Sequence, residues 1–288
     1  MYFSAFMIFG LLGAALMIAG DAYRLRRFCW AAPVMVLFLL GTQPAFRLLP
    51  TVSYDRVLLN FDYRLGYDFA IGRAFSGPAP LLLVHMFYAG LPLAVAFVYS
   101  LLDPPSRWRF GLAMLLVGVV ALPVYAICPA AGPIYVFGQA FPFHPPVADP
   151  LPFAGPGLTM NAIPSAHVAW ALLLWWHSRK CLLGVRIAAG VFLVGTALAT
   201  LATGEHYLVD LVAAVPFAVA IDGAARRRWV GAAFCGAVVV LWSLALRVGL
   251  LNGVSHPLAV SLAVATVAIP LLLHRLAVGP RASAVAAG

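Results

Sequence analysis

Apolar residues run along this chain in long blocks, broken by short clusters of arginine, proline and glycine. A helix that crosses the hydrocarbon of a bilayer needs roughly 20 apolar residues. By that ruler the pattern predicts about nine spans, at 2–20, 29–49, 79–102, 109–128, 164–178, 183–203, 207–224, 229–251 and 257–279. The expected fold is all-α: a polytopic integral membrane helix bundle, with residues 1–288 forming one membrane domain.

Two stretches depart from this pattern. Between 54 and 75, Leu58, Phe61, Leu65 and Phe69 recur at helical spacing, interleaved with Asp55, Arg56, Asp62, Arg64 and Asp68. That alternation predicts an amphipathic helix lying in the membrane interface, either admitting lipid to a site or serving as a connector. Residues 129–161 hold Pro129, Pro133, Pro142, Pro145, Pro146, Pro150, Pro152 and Pro156 and no Lys or Arg. So many prolines restrict helix and sheet and predict a stiff, irregular outer cover, a lid or a passive connector. Tyr135, Phe137, Phe141 and Phe143 suit its apolar edge.

Composition agrees with the pattern: 64% of residues are hydrophobic, 9% are charged, and mean hydropathy is +0.99. The net charge of +9 would fit a nucleic-acid partner, but the positions of the cations decide otherwise. Arg24, Arg26 and Arg27, then Arg107 and Arg109, then Arg179, Lys180 and Arg186, then Arg226 to Arg228, then Arg275 and Arg281 fall in alternate loops. Cytoplasmic loops of membrane proteins carry such an excess. The pattern therefore predicts an N-terminus outside, a C-terminus in the cytoplasm and no nucleic acid bound. The first apolar run lacks a basic leader and is followed by its arginines, so a retained helix is expected rather than a signal peptide. The four cysteines outline no disulfide framework. An alanine- and arginine-rich, lysine-poor composition suggests GC-rich bacterial coding, hence the cytoplasmic (inner) membrane.

The candidate chemistry lies at the ends of apolar blocks. His167 opens the 164–178 span, and His206 with Asp210 opens the next span that starts outside, so the topology puts all three on the outer face. Ionisable groups in spans are costly and are functional candidates by default. His206 and Asp210 are four apart; on a helix they share a face, and the carboxylate can take the imidazole Nδ1–H and leave Nε2 free. Two histidines and one carboxylate, with no spaced histidine pair on one helix, form a weak zinc pattern. No metal and no cofactor is expected.

Pro164-Ser165-Ala166-His167 resembles the PSGH motif, and His206 to Asp210 the HxxxD motif, of the type 2 phosphatidic acid phosphatase superfamily. The resemblance covers roughly 79–224, a six-helix phosphatase-like catalytic core, leaving 1–78 and 225–288 as accessory helices. It implies that His206 attacks phosphorus, Asp210 orients it and His167 protonates the leaving oxygen. The superfamily's basic motifs, KxxxxxxRP and the SR before the second histidine, are absent from Tyr125–Tyr135 and Ala199–His206. The segment Pro129-Ala130-Ala131-Gly132-Pro133 instead is similar to the inositol phosphorylceramide synthase branch, whose members move a phospho-headgroup between lipids. The expected function is a membrane-embedded phosphotransferase or phosphatase. It would act on a lipid phosphoester through a phosphohistidine at the extracytoplasmic face, with water or a hydroxyl as acceptor.

With the basic motifs gone, phosphate contacts are expected from the amides around Ser165 and Ala166 at a helix N-terminus, from the Ser165 hydroxyl and from Arg73, which alternatively pairs with Asp68. Glu205 suits an acceptor hydroxyl, an amine or an arginine, and Tyr135 lies on the cover above the site. His85 and Tyr88 either face the chamber or form a satisfied buried pair. The rival of another class is a non-catalytic transporter with proton-relay histidines; an ionisable cluster at span ends rather than mid-membrane favours the enzyme.

Overall fold

Helix length and apolarity decide which of the expected spans can cross a membrane. The computed structural model describes residues 22–46, 48–144, 152–154 and 158–278. Its elements are α1 (Ala22–Phe46), β1 (Val52–Ser53), α2 (Asp55–Arg64), α3 (Ala70–Ala74), α4 (Pro78–Leu101), α5 (Pro104–Ile127), α6 (Pro133–Phe137), β2 (Phe153–Ala154), α7 (Ala166–Ser178), α8 (Leu183–Ala202), α9 (Leu208–Ala225), α10 (Trp229–Arg247) and α11 (His256–Val278). Among the described residues, α4, α5, α8, α9, α10 and α11 are long and apolar enough to cross, which makes the chain an all-α polytopic membrane bundle. The expected 2–20 span lies outside the described residues, and 29–49 falls largely within α1. The 164–178 span becomes α7, whose 13 residues reach about 20 Å at 1.5 Å per residue, against a hydrocarbon core of about 30 Å.

Local chemistry sets where these helices begin. Proline opens α4 and α5, where its missing N–H costs no helical bond. The Asp103 side chain caps α5 by accepting the Ser106 N–H at 3.4 Å, and Ser165 caps α7 by accepting that of Val168 at 3.4 Å. At the centre, α9 packs against α5, α7, α10 and α11. Ala213, Ala214 and Ala218 are fully buried there, small enough to let the backbones approach closely. Outward, Leu82, Val119, Val194, Val230, Leu241 and Ile269 are exposed, as lipid-facing surfaces require.

Two expectations change. Helix α2 is packed into the protein instead of presenting its apolar face outward: Asp55, Val57, Leu58, Leu59, Asn60, Phe61 and Asp62 are all buried, and Phe61 meets Trp242 of α10 edge-on at 5.3 Å. Asp55 and Asp62 are seven apart and share a face with Leu58 and Leu59, so the two acids belong to the apolar stripe. The proline-rich cover is also less irregular than expected. It carries α6, a 3₁₀ turn at Gly138–Ala140 and β2, which pairs antiparallel with β1 through Val52↔Ala154 and Ser53↔Phe153.

Helices α7 and α9 run in the same direction, and at their far ends a buried Asp222 gathers three partners. His177 of α7 lies at 3.0 Å, His274 of α11 at 3.1 Å and Arg226 at 2.7 Å. Lys180 donates to Ser106 at 2.7 Å at this same end. The cluster ties the final helix to both helices that begin at the candidate site. Removing one member of a buried ion network strands the others, at about 3 kcal/mol or more. Asp222→Ala should therefore lower unfolding stability in nanodiscs by about that amount, while Arg109→Ala, at an exposed position, should stay within about 0.5 kcal/mol.

Candidate active site

The site is built from the turn that precedes α9. His206 is not on the helix: Tyr207 is its N-cap and Leu208 its first residue. What brings His206 and Asp210 together is the cap, in which Asp210 reaches back to accept the Tyr207 N–H at 2.8 Å and meets His206 Nδ1 at 3.3 Å. This corrects the expectation of one shared helix face, although the pairing itself forms. His206 Nδ1 lies closer still, 2.9 Å, to the Ala162 carbonyl oxygen. A carbonyl can only accept, so Nδ1 carries a proton, and in the neutral imidazole the lone pair lies on Nε2. Both side chains are buried.

His167 stands in the first turn of α7, its ring centroid 6.3 Å from that of His206. It is held face-on by Tyr88 of α4 at 4.0 Å and edge-on by Trp170 at 6.0 Å. The two histidines and Asp210 thus meet as expected at one end of the bundle.

Two acids that the sequence pattern assigned to a solvated face hold this arrangement in place. The Asp62 carboxylate accepts the N–H groups of Leu208 and Val209 at 2.7 and 2.9 Å, so it caps the positive end of α9 from outside. Asp55 accepts from Ala131 and Gly132 at 2.9 and 2.8 Å, fixing the loop whose Ala130 carbonyl receives the Ala162 N–H at 2.8 Å. The signal that could have found them is their register: both acids sit at positions where a helix face otherwise reads Leu58 and Leu59.

Gly132 and Gly204 let the same loops close. Gly132 has φ +111°, and a Cβ there would collide with the Glu205 carbonyl; Gly204 has φ +74°, and its Cβ would fall 2.8 Å from the Phe141 ring. Only glycine takes these conformations without strain. Across this contact Ile134 donates to the Gly204 carbonyl at 2.9 Å, laying α6 over the turn.

The remaining candidates take varied places. The Ser165 side chain caps α7 and its amide donates to the Asp210 carbonyl at 3.2 Å, so that amide is already committed; Ala166 follows it at the helix start. The Tyr135 hydroxyl stands within hydrogen-bond distance of both Glu205 oxygens, 2.9 and 2.8 Å, and its one proton is shared between them. Glu205 lies in the turn before α9. His85 bonds its own helix at the Leu81 oxygen, 2.7 Å away, and Tyr88 meets His167 instead of forming a His85 pair. Arg73 holds Asp68 at 2.6 Å, and this contact keeps the Asp68 carboxyl below the usual carboxylate range. Arg247 donates to the Ile127 oxygen at 2.9 Å. Among the described residues no group of three or more His, Cys, Asp or Glu side chains is placed to hold a metal ion.

Burial pushes the Asp62 carboxyl well above its ordinary value of 3.8, its two amide donors oppose this, and the charge of Asp210 adds to the rise. A folded carboxyl that binds its proton more tightly than the unfolded one stabilises the protein at low pH and loses that contribution as pH rises above 3.8. Unfolding free energies between pH 4 and 8 should therefore fall with pH more steeply in the wild type than in Asp62→Asn, by up to about 1.4 kcal/mol per pH unit. Parallel slopes would remove Asp62 as the titrating group.

A family model described as the PAP2 superfamily matches residues 56–224, a range that takes in α2 from its second residue onward, Asp62 included, as well as His167, His206 and Asp210. No curated protein and no solved structure matches the chain.

Proposed function

The chain belongs to the PAP2 superfamily, whose members are phosphatases or phosphotransferases acting on phosphoesters, and from that premise we propose a histidine-based transfer of a lipid phospho-headgroup. The observation that carries the proposal is the Nδ1–H contact of His206 with Ala162 and Asp210, because it leaves Nε2 as a free nucleophile across from His167.

Nε2 of His206 attacks phosphorus in line, the bond from phosphorus to the leaving oxygen breaks, and His167 gives that oxygen a proton. Asp210 offsets the positive charge that His206 acquires as its phosphorus bond forms. In the second half a hydroxyl attacks the phosphohistidine, His167 takes the hydroxyl proton, and His206 is released. Water in place of that hydroxyl makes the same site a lipid phosphate phosphatase.

Transfer between lipids is favoured by the Pro129–Pro133 segment and by its anchoring on Asp55, which builds a covered wall beside the histidines. Glu205, held by Tyr135, suits an acceptor hydroxyl. Ser165 and Ala166 stand at the start of α7, whose positive end favours the phosphoryl oxygens. The catalytic core is the 79–224 region together with α2.

The reaction faces the extracytoplasmic side of a bacterial inner membrane, with the C-terminus in the cytoplasm. Supporting this, Arg107, Arg179, Lys180, Arg226 and Arg275 fall at the opposite end of the helices from His167 and His206, as the positive-inside rule requires.

Incubating the purified protein with a lipid labelled in its headgroup phosphate separates the two outcomes: label in a new lipid means transfer, label in free phosphate means hydrolysis. His206→Ala should fall to background on every substrate, an activated aryl phosphoester included. His167→Ala should lose about 100-fold or more on a lipid ester yet keep a measurable rate on the activated one, whose leaving group needs little protonation. Asp210→Asn should fall between them. Retained activity in His206→Ala with loss in His167→Ala would reverse the two roles, and full activity in all three would end the proposal.

A further inference from the structure

A cavity of about 680 Å³ lies at the opposite end from the histidines, between the start of α1, the end of α4 and the start of α5. Its mouth carries Arg26, Arg27 and Arg107 beside Tyr23, Trp30 and Trp108, and no Asp or Glu lines it. The Arg27 guanidinium lies over the Tyr23 ring at 4.6 Å. Arg107 Nε is buried with no hydrogen-bond partner among the described residues, a donor without an acceptor.

Beyond the cations the walls are apolar. Along α1 they run from Tyr23 to Met35, about 18 Å, and along α5 from Arg107 to Leu115, about 12 Å. One leaflet of hydrocarbon is about 15 Å deep. Trp30 and Trp108 are 70% and 72% exposed and flank the mouth, where aromatic residues settle at a membrane boundary.

From this charge and depth we propose that the cavity is a binding site for one anionic phospholipid of the arginine-rich leaflet. The headgroup phosphate is held by Arg27 and Arg107 and an acyl chain lies between α1 and α5. Three guanidinium groups without a carboxylate select a negative headgroup, and the orphaned Nε of Arg107 gains a phosphate oxygen as acceptor. The site is separate from the catalytic one and does not depend on the reaction assigned there. It joins α1, which precedes the residues matched by the family model, to the core helices α4 and α5.

The test uses the full chain in nanodiscs of mixed phosphatidylglycerol and phosphatidylcholine, released into native mass spectrometry so that retained lipid is weighed. Wild type should keep one phosphatidylglycerol in preference to phosphatidylcholine. Arg27→Gln with Arg107→Gln should weaken that retention about thirtyfold, since each cation near an anionic lipid contributes about one kcal/mol. Arg186→Gln, outside the cavity, should leave it unchanged. Gly111→Leu, which fills the wall without touching a charge, should also expel the lipid, so the proposal does not rest on one variant folding. Equal retention of both lipids, or retention unaffected by both the double variant and Gly111→Leu, would overturn it. So would a groove filled by residues 2–20 of the same chain, which leaves no lipid selectively held.

Discussion

The arrangement around His206 depends on two buried carboxylates of one short helix. Asp55 and Asp62 stand two turns apart on the same face of α2, and each accepts two backbone N–H groups from a different loop. One loop supplies the wall that positions Ala162; the other is the first turn of α9, which carries Asp210. Ala131 and Gly132 lie in irregular chain, and Leu208 and Val209 open a helix, where the first amides have no intrahelical acceptor; neither pair has backbone partners of its own among the described residues. Unpaired amides buried in a bundle would each cost about 1–3 kcal/mol. The two acids remove that cost and set the distance between the loops in the same act.

Asp210 is used three ways by its neighbourhood: its side chain takes the Tyr207 N–H and contacts His206, and its carbonyl takes the Ser165 N–H. The last contact joins the start of α9, which follows His206, to the start of α7, which bears His167. Their relative position is therefore set by backbone as well as by side-chain packing, with the Asp222 cluster pinning the same two helices at their other ends. Such bracketing at both ends fixes the separation of the two rings, whose centroids stand 6.3 Å apart.

Much of this was legible in the chain. Apolar blocks of about 20 residues have few alternatives to membrane helices, and the spans at 79–102, 109–128, 183–203, 207–224, 229–251 and 257–279 correspond to six crossing helices. The motif residues His167, His206 and Asp210 converge because helix direction alternates reliably along short loops. What escaped was the setting of the acids in 54–75. A charge beside apolar residues on a helix reads as surface unless its partners are known, and here the partners are amides 76 to 147 residues away. No local pattern encodes that separation. The i, i+4 spacing of His206 and Asp210 pointed to the right pair through the wrong geometry, since a capping turn and a helix face bring such residues equally close.

Helix α7 is a full turn or two shorter than a crossing helix, and the shortfall is made up by the turn at 163–165 and the loops around it. Non-helical backbone at such depth is tolerated only where protein, not lipid, surrounds it. Ala130, which accepts the Ala162 N–H, and Asp210, which accepts the Ser165 N–H, thus insulate a stretch of chain that the bilayer itself would reject. Parting either contact would leave bare peptide groups where lipid cannot satisfy them, which makes the spacing of these loops the quantity under constraint.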